Sequence, residues 1–289
     1  MKKIRALLGM ILVFCLIFLA SCSPAESSAE SSAEKPIVAV SIIPQKTFVE
    51  AVCGDLVEVI ALVPPGNSPG NYEPTPEQME EVSNASVYFT IGIPTETANI
   101  LPDLPDVQAV SLQDAVAAVY PDREFESGGR DPHIWLSPKR VEVMINTIAQ
   151  TMSEIDQDNK DIYQENAEAY IAQLENADNE ISEIFEDVVN KDFIIYHPAY
   201  GYFADDYGLT MYALQESGKD ATPQHLQDLI DAANEKNIKV VYIQAEFDSS
   251  QAEAFAEEIE GKTTQLSPLS ANYIEDLINT ARTMAENMQ

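Results

Sequence analysis

Three histidines occur in the 289 residues, and two of them stand where a folded chain gathers metal-binding atoms. His197 closes the apolar run Phe193-Ile194-Ile195-Tyr196, and Pro198 after it cannot continue a sheet. In open α/β sheets ligands collect at the carboxyl ends of strands, so a histidine at that point is a candidate ligand. His133 lies in a short extended stretch between Pro132 and Pro138, with Trp135 two residues on. Gln244 and Glu246 follow Ile243, the end of another apolar run, and share one face if the strand persists that far. Two imidazoles with a carboxylate suit zinc, whose ligands are commonly His nitrogen and Asp or Glu oxygen. Each residue also has an ordinary reading taken singly: a packed loop histidine, or a solvated acid at a strand end. His225, in the first turn of an amphipathic helix after Thr222-Pro223, is expected to face solvent.

Other chemistries lack their residues. There is no glycine-rich phosphate loop, no Gly-x-Ser-x-Gly elbow and no His-Glu-x-x-His helix. Cys15 falls in an apolar leader and Cys22 follows it, which leaves Cys53 unable to form an internal disulfide. Its apolar helical neighbours Phe48, Val49 and Val52 mark it as buried filler. Sixteen basic side chains face 48 acidic ones, a formal net charge of -32. Such a surface repels nucleic acid and draws cations in from a distance, which excludes a nucleic-acid partner.

The elements that must position these residues alternate. Strands are expected at Ile37–Ile42, Leu56–Val63, Val87–Ile91 and Val107–Leu112, with helices at Gln45–Cys53, Glu77–Ser83 and near Glu96–Leu101. Pro121 to Gly129 reads as a polar loop, after which Pro138, with Ser137 as cap, opens a long helical stretch. From about Asp158 to Val188 apolar residues recur at steps of three, four or seven, a helix of about 30 residues or about 45 Å. The alternation then resumes: strands at Phe193–Tyr196, Thr210–Leu214, Ile238–Ile243 and Thr263–Leu266, and helices at Tyr200–Tyr207, Pro223–Lys236, Ser249–Ile259 and Tyr273–Met288. This is the rhythm of an α/β protein: two lobes with mostly parallel sheets covered by helices, joined by one long rigid helix, with a ligand cleft between strand ends. The expected layout is a leader over 1–21, a tether over 22–36, a first lobe over 37–157, a linking helix over 158–189 and a second lobe over 190–289. The chain is expected to be a monomer.

The leader has a basic start (Lys2, Lys3, Arg5) and an apolar run from Ala6 to Ala20, about 15 residues where a membrane span needs about 20. It reads as an export signal. Its end, Leu19-Ala20-Ser21-Cys22, resembles the lipobox of bacterial lipoproteins, in which the cysteine is lipidated. Residues 23–36 are low-complexity Ser, Ala and Glu, too polar to pack, and read as a flexible tether. The folded part is therefore expected outside the cytoplasm, lipid-anchored to the cell membrane at Cys22.

Three phrases carry a more specific likeness: Tyr72-Glu73-Pro74-Thr75-Pro76, Asp131-Pro132-His133-Ile134-Trp135-Leu136-Ser137-Pro138 and His197-Pro198-Ala199-Tyr200-Gly201-Tyr202-Phe203. In this order they resemble the zinc and manganese substrate-binding proteins of ABC importers, the cluster A-I family. The resemblance implies a binding protein rather than an enzyme, one that holds a metal ion in the cleft by four side chains and delivers it to an ABC permease. The family's second and third ligands fall on His133 and His197. Where the first, a histidine, usually stands, this chain has Gly70, and Ser267 takes the place of the usual final aspartate. Glu246 is the candidate for the missing charge, with Asn71, Glu73, Gln244, Ser267 or water as further cleft donors.

The loop Pro121–Gly129 holds no histidine, unlike the histidine-rich loop of many zinc members, which leans toward manganese. A site built on nitrogen prefers zinc over manganese on intrinsic affinity, so zinc is the expected cargo and manganese the alternative. Three rival readings remain: a metal-free surface interaction or adhesion lipoprotein, a chelate-binding protein of the same fold, and a lipid-anchored metal hydrolase.

Overall fold

A computed structural model describes residues 35–125, 128–215 and 221–288. The leader, Cys22 and nearly all of the tether lie outside these residues. Two four-stranded sheets, parallel throughout, organise the rest. The first contains β1 (Ile37–Val40), β2 (Glu58–Ala61), β3 (Val87–Thr90) and β4 (Ala109–Ser111) in the order β2-β1-β3-β4. Val38 lies opposite Val59 on one side and Val87 on the other. The second repeats the plan with β5 (Asp192–Ile195), β6 (Thr210–Ala213), β7 (Val240–Gln244) and β8 (Lys262–Leu266) in the order β6-β5-β7-β8. Helices on both faces bury the central strands, which explains their unbroken apolar runs. In each sheet the order reverses between the two central strands, β1 and β3 or β5 and β7. A crevice forms at the carboxyl ends of such a pair, because the connections leave in opposite directions.

The first lobe also carries α1 (Ile43–Cys53), α2 (Pro76–Val82), α3 (Leu112–Ala117) and α4 (Pro138–Ile155). The second carries α6 (Gly201–Tyr207), α7 (Pro223–Glu235), α8 (Ser250–Glu258) and α9 (Tyr273–Asn287). Between them runs α5 (Lys160–Glu186), 27 residues or about 40 Å, preceded by a 3-10 turn over Gln157–Asn159. Its buried stripe is Tyr163, Ala167, Leu174, Ala177, Ile181 and Phe185. That stripe packs on α1 and α4 at one end and on α9 at the other. One cluster of buried side chains consequently runs from Val38 in the first sheet through α5 to Met284 in α9.

Several sequence expectations shift in detail. The apolar run ending at Leu112 is not all strand: Ser111 accepts a hydrogen bond from the Asp114 backbone N–H at 3.1 Å and starts α3 instead. Pro138 does occupy the first turn of α4, but the Ser137 side chain does not cap it. Its hydroxyl donates to the Asp206 carboxylate of the second lobe at 2.5 Å. His225 is half-buried rather than solvent-facing, and its Nε2 meets the Ala213 carbonyl at 2.9 Å. Cys53 is buried and free, and burial pushes its thiol up to about 12.

Candidate metal centre

His197 follows the last residues of β5, and the chain there is fixed from three sides. The Tyr196 N–H donates to the Tyr242 carbonyl at 2.8 Å, and the Gln244 side-chain amide donates to the His197 carbonyl at 2.9 Å. The imidazole lies flat on Phe247, ring centres 4.3 Å apart at 23°. Its Nδ1 meets Oε1 of Gln215, just past β6, at 3.0 Å. Three strands of one sheet thus place and orient this single ring.

His133 arrives from the other lobe. Asp131, fully buried, accepts hydrogen bonds at the same oxygen from the His133 backbone N–H at 3.0 Å and from its Nδ1 at 2.7 Å. Arg123 approaches the second oxygen at 3.5 Å. The Asp131 carbonyl accepts from the Tyr202 hydroxyl at 3.2 Å, which ties this loop to α6. Trp135 donates to the Pro268 carbonyl at 2.8 Å, and Tyr273 donates to the Trp135 carbonyl at 2.7 Å.

These supports bring the two Nε2 atoms to 3.4 Å. An ionised carboxylate can only accept, and so can the Gln215 oxygen, so each Nδ1 carries the proton and each Nε2 presents a lone pair. In a tetrahedral zinc site with bonds of about 2.0–2.1 Å, two nitrogens stand about 3.3 Å apart. The observed spacing fits one ion held by both rings. Burial, and after it the neighbouring His133, pushes the His197 imidazole down to about 4, which keeps it neutral and ready to coordinate.

The pair opens on a cavity of about 280 Å³. Asn71, Gln244 and Glu246 line it, as does Gly70. One oxygen of Glu246 finds no hydrogen-bond partner, and burial raises this carboxyl above the usual range. An acid with an unpartnered oxygen on the same cavity wall as two lone-pair nitrogens favours a cation. Glu73 is exposed and lies off the cavity wall. Ser267 is exposed and borders a separate small cavity beside Tyr200, Tyr273 and Asp276. Among the described residues no three His, Cys, Asp or Glu side chains stand close enough to hold an ion, so Glu246 shares the cavity without closing a cluster with the two imidazoles.

Sequence reasoning passed over Asp131, Gln215 and Phe247. Gln215 stands at a strand's carboxyl end, where the rule that singled out His197 applies equally. It also passed over Glu96 at the crevice of the first sheet. This buried carboxylate accepts from the N–H groups of Ile91 and Gly92 at 2.8 and 2.7 Å and from the Ser41 hydroxyl. It fixes the turn Gly92-Ile93-Pro94, which forms part of the cavity wall.

Two lobes built on a shared core, one presenting His197 at the end of β5 and the other His133 from the loop before α4, define a two-lobed binding protein for a metal ion. The sequence comparisons name the class further. Residues 38–287 match the family model described as ZnuA, zinc-uptake complex component A periplasmic, and the chain belongs to that family. It is 28% identical over 277 residues to the high-affinity zinc uptake system protein ZnuA of Bacillus subtilis, covering 90% of this chain and 87% of that one. It is also 28% identical over 263 residues to the manganese ABC transporter substrate-binding lipoprotein scaA of Streptococcus gordonii, covering 86% and 84%. A crystal structure of ZnuA superposes with a TM-score of 0.83 at 35% identity, over 89% of this chain and all of that one. The protein is thus a metal-binding, extracytoplasmic substrate-binding component of an ABC importer and not an enzyme. Among the described residues no helix is long and apolar enough to cross a membrane.

Proposed function

We propose that this protein captures zinc through Nε2 of His133 and Nε2 of His197 and hands the ion to an ABC permease. The supporting observation is the tautomer lock: with both Nδ1 atoms engaged by Asp131 and Gln215, two lone pairs converge at tetrahedral spacing. Nitrogen donors favour zinc over manganese, whose preferred ligands are oxygens. Glu246 supplies negative charge at the cavity wall, and Asn71 and Gln244 offer neutral oxygens there. Lipidation at Cys22 and the tether over 22–36 keep the two lobes, 37–157 and 190–289, within reach of the membrane, with 158–189 as the strut between them.

Elemental analysis of protein purified without chelator tests this directly. One zinc per chain is expected in the parent, with loss in His133→Ala and in His197→Ala. Equal metal content in all three proteins would overturn the site, and one manganese per chain would overturn the choice of metal.

A further inference from the structure

The cavity is too large for the ion alone. At about 280 Å³ it has the volume that about nine water molecules occupy in the liquid, at about 30 Å³ each. An ion with donors at about 2.1 Å fills only the corner beside the two imidazoles. Carbon dominates the rest of the wall: Ile93, Phe125, Trp135, Phe247 and Leu269, interspersed with prolines. Ordered waters need about two to four polar partners each, and beyond the two imidazoles the polar side chains of this wall are confined to Ser68, Asn71, Arg130, Gln244 and Glu246. Among the described residues no third His, Cys, Asp or Glu joins the pair, and Glu246 stands elsewhere on the same wall. A four-coordinate ion on His133 and His197 therefore keeps two positions open toward a carbon-lined space. Both features call for the same occupant: a small molecule with two donor atoms on a carbon frame.

The geometry points to a cargo that is a ternary complex, a metal ion carried together with a small bidentate organic chelator of amino-acid or diimine size. This rests on the proposed capture of metal by His133 and His197 and deepens it. The two imidazoles supply half of the coordination sphere and replace two waters of a chelate arriving from solution. The chelator fills the other half, and its carbon frame meets the aromatic wall, where burial of apolar surface adds affinity. Aromatic residues on the wall favour a planar or ring-bearing chelator through stacking.

Native mass spectrometry and chelator competition on the full chain test the inference, with zinc chloride alone, with zinc chloride and L-histidine, and with zinc chloride and bipyridine. The expected result is a species of protein, one zinc and one co-ligand, with zinc retention raised about tenfold or more by at least one co-ligand. Protein with zinc only, and unchanged retention in the presence of both co-ligands, would overturn the ternary cargo and leave zinc capture standing. No zinc under any condition would overturn both. Gly70→His provides a second arm. A Cβ at Gly70 meets only Ser68 Oγ, at 3.7 Å, and the residue lines the cavity, so a side chain can start there without backbone strain. The variant should bind zinc alone more tightly and gain less from the co-ligand, whereas a co-ligand gain equal to the parent's would count against the inference.

Discussion

Asp131 holds His133 twice, accepting from its backbone N–H and its Nδ1 at one carboxylate oxygen. The buried carboxylate thereby sets both the direction of the ring and the nitrogen that stays free. Partners of this kind are worth about 10- to 100-fold in metal affinity. Asp131→Asn is therefore expected to weaken zinc binding within that range while the chain stays folded. Competition with a fluorescent chelator, beside a thermal melt, measures both.

Phe247 acts on the other ring by stacking. Such ring pairs contribute about 0.5–1.5 kcal/mol beyond area, so Phe247→Ala should release zinc about 2- to 10-fold more readily. The same competition assay reads it, and a Phe247→Tyr variant should restore most of the affinity. No loss in the alanine variant would mean that Gln215 and Gln244 orient His197 unaided.

Asp206 offers a contrast in stability. It is nearly buried and meets Lys139 at 2.5 Å, Arg140 at 3.0 Å and the Ser137 hydroxyl, all across the junction of the lobes. Removing it strands the buried Arg140 guanidinium, a loss of about 3–5 kcal/mol. The exposed pair Arg282–Glu180 should be worth under about 1 kcal/mol. Denaturant melts of Asp206→Ala and Arg282→Ala are expected to differ accordingly, and similar midpoints would refute the assignment.

Cys53 gives the pH dependence. Burial raises its thiol from 9.0 to about 12, so the folded protein holds this proton more tightly than the unfolded chain. The resulting stability is complete below pH 9 and is lost as pH rises toward 12. Iodoacetamide at pH 8 should leave native Cys53 unmodified and label it after denaturation, with mass spectrometry as the readout.

Much of the fold was legible because its strands are buried on both faces and its helices bury one stripe, so each carries a clear apolar period. The long helix showed itself in this way, from Tyr163 to Phe185. What escaped was local competition: Ser111 diverting a strand into α3, and Ser137 turning to Asp206 rather than to its own helix. For the candidate site, strand ends and short phrases pointed to His133 and His197, and the structure brings them together. The residues that orient them left weaker traces. Asp131 reads as a loop acid and Gln215 as a polar strand end until the pairing of β5 with β6 sets them beside an imidazole. Glu73 was chosen for its place after a strand end and Ser267 by its position in the family pattern, and neither lines the cavity.

The buried cluster that runs from the first sheet through α5 into α9 bears on how the protein matures. Each lobe also keeps a smaller interior of its own, around Ala39 and Tyr88 in the first and Ile194 and Leu229 in the second, but His133 and His197 become neighbours only once the shared cluster has joined the two. A newly exported chain that is half assembled has two ordinary histidines and no shared place between them. The capacity to take up an ion is thus a certificate of completed folding, issued by the molecule's interior and not by its surface.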